Sequence, residues 1–169
     1  MKKVFSILTI LSVIVLSSCI KNELVTYKNT QIELDAAVWN ANAAGLTYPV
    51  ITRVPSVGIA TSTAQASLTR SSGSVTLRVN LIGAQQATDL SFTYQVATES
   101  TAVAGTHFTA VSGTGVIPAN SSFATIPITI LNPGATTTGP KVLVIQLTDN
   151  AGLKASVNYA KVGLSIAQN

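Results

Sequence analysis

The chain is poor in the residue types that build covalent cross-links and metal sites. It holds one cysteine, Cys19, and one histidine, His107, among its 169 residues. A single cysteine excludes an intrachain disulfide and a zinc site made of several thiolates. A single histidine excludes a metal site made of several imidazoles.

Charged residues are also scarce. They make up 9% of the chain, while hydrophobic residues make up 47%, and an average globular protein is about 25% charged. This composition excludes a disordered, highly charged tail. The formal net charge of +4 includes Lys2 and Lys3. The other basic residues are scattered, so no basic stripe predicts nucleic-acid binding.

The first residues have the order of a bacterial secretory signal. Lys2 and Lys3 are basic, residues 4–16 are mostly apolar, and Ser17 and Ser18 precede Cys19. A basic start, a short apolar core and small residues before a cleavage site define such a signal. A transmembrane helix is the alternative, but it needs about 20 apolar residues, more than this run provides. We therefore assign residues 1–18 to a cleavable signal peptide.

The segment Leu16-Ser17-Ser18-Cys19 resembles the lipobox of bacterial lipoproteins. The resemblance implies that the Cys19 thiol is diacylated with palmitate-type chains, that the chain is cut before it, and that the new amino group is acylated. Two or more acyl chains hold a protein on a bilayer stably, whereas one chain does so only marginally. A free thiol in an oxidising compartment is the less favourable interpretation. Residues 19–30 then form the lipidated cysteine and a flexible tether.

Residues 20–23, Ile-Lys-Asn-Glu, resemble in part the segment that follows the cysteine in surface-displayed lipoproteins of the Bacteroidota. Those proteins carry a lysine followed by acidic residues, and here Asn22 takes the place of one acid. Ile20 stands where an aspartate often retains lipoproteins at the inner membrane. The resemblance implies a protein anchored by lipid to the outer membrane. Whether it faces the cell surface or the periplasm is left open.

Beyond the tether, apolar residues recur with a period of two. The pattern is clearest where Val75, Leu77, Val79 and Leu81 alternate with polar neighbours. Such alternation predicts strands with one buried and one solvated face. The predicted strands lie in 31–38, 64–69, 74–81, 90–96, 124–130, 141–147 and 160–166.

These strands predict an all-β domain at 31–169. No ten-residue segment has a convincing helical period, and turn residues separate the strands, so we expect an immunoglobulin-like antiparallel β-sandwich of about seven to nine strands. Pro127 has no N–H, so its strand is predicted at a sheet edge. The predicted strand at 141–147 has apolar residues on both of its faces. It is therefore either buried on both faces or covered by a partner.

Residues 100–130 carry a second resemblance. Thr-Ala-Val-Ala-Gly-Thr-His-Phe at 101–108 is followed by Gly-Thr-Gly-Val-Ile at 113–117 and Ala-Thr-Ile-Pro-Ile-Thr-Ile at 124–130. This order resembles the Calx-beta type of immunoglobulin-like repeat, over residues 65–167. Similar domains of unknown function occur in Bacteroidota lipoproteins, some encoded beside glycan-uptake systems. The resemblance implies an immunoglobulin-like fold.

The same comparison argues against calcium. His107 stands where the family commonly has aspartate, and the loop at 132–141 holds no acid. Calcium takes six to eight oxygen ligands, several of them from carboxylates. We therefore expect no metal site and no cofactor.

The candidates for catalysis are few. His107 can act as a base or a ligand, but it has no Gly-x-Ser-x-Gly partner and precedes Phe108, an expected core residue, so we expect a structural loop residue. Asp89, Glu99 and Asp149 are the acids from which a glycosidase pair would be drawn. Nothing in their spacing pairs them, so we expect solvated loop charges. We predict no enzyme activity and no catalytic residue.

Large aromatic residues mark a candidate binding surface. Trp39 and Tyr48 flank the loop-like stretch 40–45, where an exposed ring can stack on a sugar. The alternative is that both rings pack beneath that loop. Tyr94 shares the inward phase of Phe92 and is predicted in the core.

Together these features predict a lipid-anchored cell-envelope protein without catalytic function. It would be a binding or accessory subunit of an outer-membrane assembly, with a glycan or an envelope protein as its partner. A structural or adhesion subunit that assembles by strand addition is the alternative, and a hydrolase is the third.

Overall fold

The computed structural model describes residues 29–134 and 138–169. The predictions for the signal peptide, for Cys19 and for the tether up to residue 28 lie outside these residues. The described ranges hold nine strands and one short helix. The strands are β1 (Gln31–Leu34), β2 (Val50–Ile51), β3 (Ser74–Ile82), β4 (Leu90–Val96), β5 (Thr114–Ile117), β6 (Phe123–Thr129), β7 (Lys141–Thr148), β8 (Lys154–Ala155) and β9 (Lys161–Ile166), and the helix is α1 (Asp35–Trp39).

The strands form two sheets that pack as a sandwich. One has the strand order β6-β3-β1-β8 and the other has the order β2-β9-β7-β4-β5. The predicted immunoglobulin-like β-sandwich is confirmed, and the observed fold is nearly all-β, with one short helix. The sheets are mixed rather than fully antiparallel, because β1 pairs with β8 and β2 pairs with β9 in parallel. Each parallel pair involves two residues, and its strands are joined by long connections rather than by a hairpin.

The core lies between the two sheets. In β3 the side chains of Val75, Leu77 and Val79 are buried, while their neighbours point outward. Phe92 and Tyr94 from β4 are buried as predicted, and their ring centroids lie 6.0 Å apart. Burying one such large apolar side chain contributes about 1.5–3 kcal/mol, so the alternating residues supply most of the stability of the sandwich.

Two predicted strands were wrong in part. The first ends at Leu34 rather than at residue 38, because Asp35–Trp39 form α1. Ala36 and Ala37 are adjacent and both buried, which a strand with one buried face does not allow. The segment 64–69 is not a strand either. It pairs through single residues with two different neighbours, Ser67 with Arg53 and Thr69 with Ala167.

The prediction for Pro127 is confirmed, because β6 is an edge strand. Ile130 N–H donates to Gly73 O and Leu81 N–H donates to Ser122 O. Backbone groups that point toward the partner strand alternate with groups that point away from it along an antiparallel pair. The backbone N–H and C=O groups of the even-numbered residues of β6 therefore point toward β3, and those of the odd-numbered residues point to the free edge of the sheet. The missing N–H of Pro127 therefore lies on the free edge, where no ladder bond is lost.

Strand β7 is buried on both faces by its own chain. Leu143 and Ile145 lie in the main core, while Val144 packs on the other face with Tyr48 and Ala97. The second face is thus covered by the connection between α1 and β2. No covering partner is needed to explain the two apolar phases of this strand.

Across the described ranges, no helix is long and apolar enough to cross a membrane.

Candidate binding surface

A buried carboxylate organises the surface around α1. Asp35 is 5% exposed. Its oxygens accept hydrogen bonds from Trp39 Nε1 at 3.3 Å, from the Gly58 amide at 2.8 Å and from Asn80 Nδ2 at 3.0 Å. A buried charge is costly unless donors surround it, and three donors do so here. Asp35 therefore fixes the helix, the loop at Gly58 and strand β3 against one another.

The same contacts hold apolar side chains in solvent. Trp39 is 49% exposed, and Val57 and Ile59, on either side of Gly58, are also exposed. The loop is fastened a second time by Asn40 Oδ1, which accepts from the amide and the hydroxyl of Thr61 at 2.9 and 2.8 Å. We call Trp39, Val57 and Ile59 the Trp39 surface. The hydrogen bond from Gly58 to Asp35 brings Val57 and Ile59 to the helix that carries Trp39.

Tyr48 does not share this surface. It is 7% exposed and packs with Val144 and Ala97 on β7 and the β4 end. Lys161 Nζ lies 5.3 Å from the centroid of its ring, within cation–π range. The expected platform of two exposed rings is therefore wrong, because the fold covers Tyr48. Ligand binding by Trp39 stays a prediction.

Glu33 lies beside the Asp35 network on the outer face of β1. Asn80 Nδ2, which donates to Asp35, also lies 3.5 Å from Glu33 Oε1. Burial raises the pKa of Glu33, the hydrogen bond from Asn80 opposes this, and the nearby charge of Asp35 raises the pKa further. The net effect is a carboxyl that releases its proton less readily than an exposed glutamate.

His107 lies in a tight loop beside the buried Phe108, as predicted. Its Nδ1 accepts a hydrogen bond from the Val103 amide at 2.9 Å, and its own amide donates to Val103 O at 2.8 Å. The Leu131 amide donates to the His107 carbonyl. Nδ1 of the imidazole is thus bound to the backbone, and the ring closes the loop.

The three candidate acids do not converge. Asp89 accepts from the Ala119 amide at 2.8 Å, Glu99 pairs with Lys161 at 2.7 Å, and Asp149 pairs with Lys154 at 2.8 Å. The lysine hydrogen bonds lower the pKa of Glu99 and of Asp149. Among residues 29–134 and 138–169, no group of three or more His, Cys, Asp or Glu side chains is placed to hold a metal ion. Each of the three acids fastens a turn or a strand end.

Sequence reasoning missed Asp35 as the centre of the surface. The available signal was its spacing of four residues from Trp39, which places the two side chains on one helix face. That spacing becomes informative only when the segment is known to be helical.

No protein-family model matches the chain, and no curated protein matches it. Solved structures do. The crystal structure of the calcium binding domain CBD12 of CALX1.1 is 21% identical with a TM-score of 0.50, and the match covers 59% of this chain and 40% of that one. The apo-form Calx CBD1 domain is 16% identical with a TM-score of 0.51, over 82% of this chain and 98% of that domain.

The fold is Calx-beta-like. This likeness concerns the arrangement of strands, since the identities are low. The chain spans 40% of the CBD12 structure and nearly the full length of the CBD1 domain. In this chain, hydrogen bonds to Asp35 hold α1 and the loop at Gly58 beside β3, where the Trp39 surface lies.

Proposed function

We propose that the chain is a lipid-anchored protein of the cell envelope that acts without catalysis, as a binding or accessory subunit of an outer-membrane assembly. The lipobox resemblance at Leu16–Cys19 supports the anchor. The Trp39 surface supports the binding role, with a glycan or an envelope protein as the partner.

The observation that carries this proposal is the contact of Asp35 with Trp39 and Gly58. This contact holds the indole ring of Trp39, and the segment that carries Val57 and Ile59, in place before any partner binds. Fixing contact groups in advance lowers the entropy lost on binding. Tryptophan is also among the residue types most enriched at the energetic centres of interfaces.

The arrangement of titratable groups supports a role without chemistry. A hydrolase needs a base, a nucleophile and an orienting group within hydrogen-bond reach of one another. Here the His107 imidazole is bound to the Val103 amide, and Asp89, Glu99 and Asp149 each bind a separate partner.

The edge of β6, one of four sheet edges, is a poor site for strand addition. The amide and carbonyl of Phe123 point outward, and both bind the hydroxyl of Ser121, at 3.2 and 2.9 Å. The carbonyl of Thr129 accepts from the Thr109 amide, and Pro127 has no N–H to offer. A strand docking here would meet few free backbone groups, which is how native edges avoid pairing.

A glycan array tests the binding role. Full-length chain in detergent should bind one or more glycans, and Trp39→Ala should abolish those signals. Val116→Ala is the control, because Val116 is another exposed apolar residue, at 48%, and lies on β5 in the other sheet. Glycan signals that survive Trp39→Ala, or that fall equally with Val116→Ala, would remove the Trp39 surface as the glycan site.

A further inference from the structure

A second exposed aromatic ring, that of Phe123, lies on the outer face of the sheet that carries the Asp35 network. Strand pairing puts Glu33 of β1, Asn80 of β3 and Phe123 of β6 opposite one another in one row. The adjacent row is buried and consists of Leu34, Val79 and Ala124. Successive side chains of a strand point to opposite faces, so the first row points to the outside of the sandwich. The Phe123 ring is 47% exposed.

Asn80 connects Phe123 to the Trp39 surface. Side chains directly opposite on an antiparallel pair have Cβ atoms about 4.5–5.5 Å apart, which places Asn80 beside Phe123. Asn80 Nδ2 donates to Asp35 Oδ1 at 3.0 Å, and the same oxygen accepts from Trp39 Nε1 at 3.3 Å. Strands β1 and β6 are separated by β3 alone. Two strand spacings measure about 10 Å, so the Trp39 and Phe123 rings lie on the order of 10 Å apart.

A charged side chain lies behind the Phe123 ring. The guanidinium carbon of Arg78 is 4.3 Å from the ring centroid, within cation–π range. Arg78 Nε is buried and has no hydrogen-bond partner among residues 29–134 and 138–169. Because Nε is buried while the ring is half exposed, the guanidinium lies on the protein side of the ring. Each ring is thus held from behind by a charge, Trp39 by Asp35 and Phe123 by Arg78.

Accessible polar groups accompany the two rings. Glu33 is partly exposed in the row that ends at Phe123, and Thr125, two residues after Phe123 on the same face, is exposed. A carboxylate accepts hydrogen bonds, and a hydroxyl both accepts and donates them. Apolar side chains of a partner protein would cover Glu33 and remove water from its carboxyl group, which is costly. This face therefore suits a ligand that combines flat C–H faces with many hydroxyl groups.

We propose that Trp39 and Phe123 are two stacking positions of one site, which binds an extended β-linked glucan chain across β1, β3 and β6. The inference rests on the binding role proposed above and names the ligand class of the Trp39 surface. The substituents of a β-linked glucose ring are all equatorial, so its C–H faces are flat and pack well on aromatic rings. One sugar ring reaches one aromatic ring, whereas a chain reaches both.

Titration of tryptophan fluorescence with soluble glucans tests the length of the site. Trp39 is the only tryptophan, so its emission reports on a ligand at that ring. For the full-length chain in detergent, we expect cellohexaose to bind at least about fivefold more tightly than cellobiose, because the longer chain gains the second stacking contact. Maltohexaose, which has the same sugar in a curved α-linked chain, should bind more weakly than cellohexaose.

Variants of Phe123 test whether this ring belongs to the site. Phe123→Ala should weaken cellohexaose binding at least about fivefold and remove its advantage over cellobiose. Phe123→Tyr keeps an aromatic ring and should keep the dependence on chain length. Val116→Ala, on the other sheet, is the control and should bind cellohexaose as the native chain does. Thermal unfolding of each variant shows that it is folded.

Three results would overturn the proposal. Equal affinity for cellohexaose and cellobiose would mean a single stacking position. Unchanged cellohexaose binding in folded Phe123→Ala would place Phe123 outside the site. The absence of binding by every cello-oligosaccharide would exclude the β-linked glucan. The Trp39 surface is judged separately by the glycan array, where signals lost only in Trp39→Ala would still support the binding role proposed above.

Discussion

Asp35 and Trp39 lie four residues apart on one short helix, and the carboxylate of the first accepts the indole N–H of the second at 3.3 Å. The same carboxylate receives the Gly58 amide from a loop 23 residues later in the chain. A buried charge thus positions an exposed ring. The contact joins the folding of this region to the surface that we propose for binding.

Removing that carboxylate should loosen the whole network. Asp35→Ala leaves the Gly58 amide and Asn80 Nδ2 without their acceptor, and an unsatisfied buried donor costs about 1–3 kcal/mol. Urea unfolding should therefore show a lower free energy of unfolding. Trp39 is the only tryptophan, so its fluorescence anisotropy should also fall. Asp35→Asn, which keeps one acceptor oxygen, should lose less, and an unchanged anisotropy in Asp35→Ala would contradict the positioning role.

Glu33 should make stability depend on pH in an unusual direction. Its pKa is raised above the ordinary 4.5, mainly by burial. The folded chain therefore binds this proton more tightly than the unfolded chain, and its stability falls as pH rises from the ordinary pKa through the raised one. Glu33→Gln should be more stable than the native chain above this window, and the difference should vanish below it.

Glu99 provides the control with the opposite sign. Its pKa is lowered, first by the hydrogen bond from Lys161, so its contribution is present above the ordinary pKa and is lost as pH falls through the lowered one. Glu99→Gln should therefore be slightly less stable at neutral pH and match the native chain in acid. Unfolding in urea at a series of pH values measures both variants. Parallel curves for the native chain and Glu33→Gln would refute the account of Glu33.

Gly115 should tolerate no side chain. A Cβ at this position would lie 2.6 Å from Cε1 of Phe92, which is fully buried. Forcing extra atoms into a packed core costs about 1–3 kcal/mol, so Gly115→Ala should lower the midpoint of thermal unfolding by several degrees. Gly152→Ala is the control, because nothing lies within 4 Å of its added Cβ. Equal midpoints for the two variants would show that β5 does not pack on Phe92 as described.

The parts of the fold that the sequence predicts are those where one strand face is buried. In β3 the alternation of Val75, Leu77 and Val79 has a single structural interpretation, and the strand lies where it was expected. The two-residue strands β2 and β8 are too short to show a periodic pattern in the sequence. They pair with β9 and β1, which are far away along the chain, so local sequence does not predict them.

The candidate surface was less predictable for a physical reason. Ile32, Leu34 and Ala36 fit a strand. The helix that replaces the end of this strand is bound at Asp35 by the Gly58 amide, a contact that local sequence does not reveal. Tyr48 is an aromatic residue beside a loop, and it is buried only because Val144 offers an apolar partner on the second face of β7. Tertiary packing thus separates the two aromatic residues that the sequence groups together, leaving Trp39 exposed and Tyr48 buried.

The anchor has its own variant test. Cys19→Ala removes the sulfur that carries the diacyl group, so the chain should leave the membrane fraction and appear in the soluble fraction. Ser18→Ala keeps a small residue before the cut and should remain with the membranes. Equal partitioning of both variants would show that another feature holds the chain on the membrane.

Mass spectrometry of the N-terminal peptide of the native chain is the most direct test of the lipid-anchored protein proposed here. We predict a peptide that begins at Cys19 and carries the added mass of two or more acyl chains. A peptide that begins at Met1, or one in which residue 19 is an unmodified cysteine, would contradict the account.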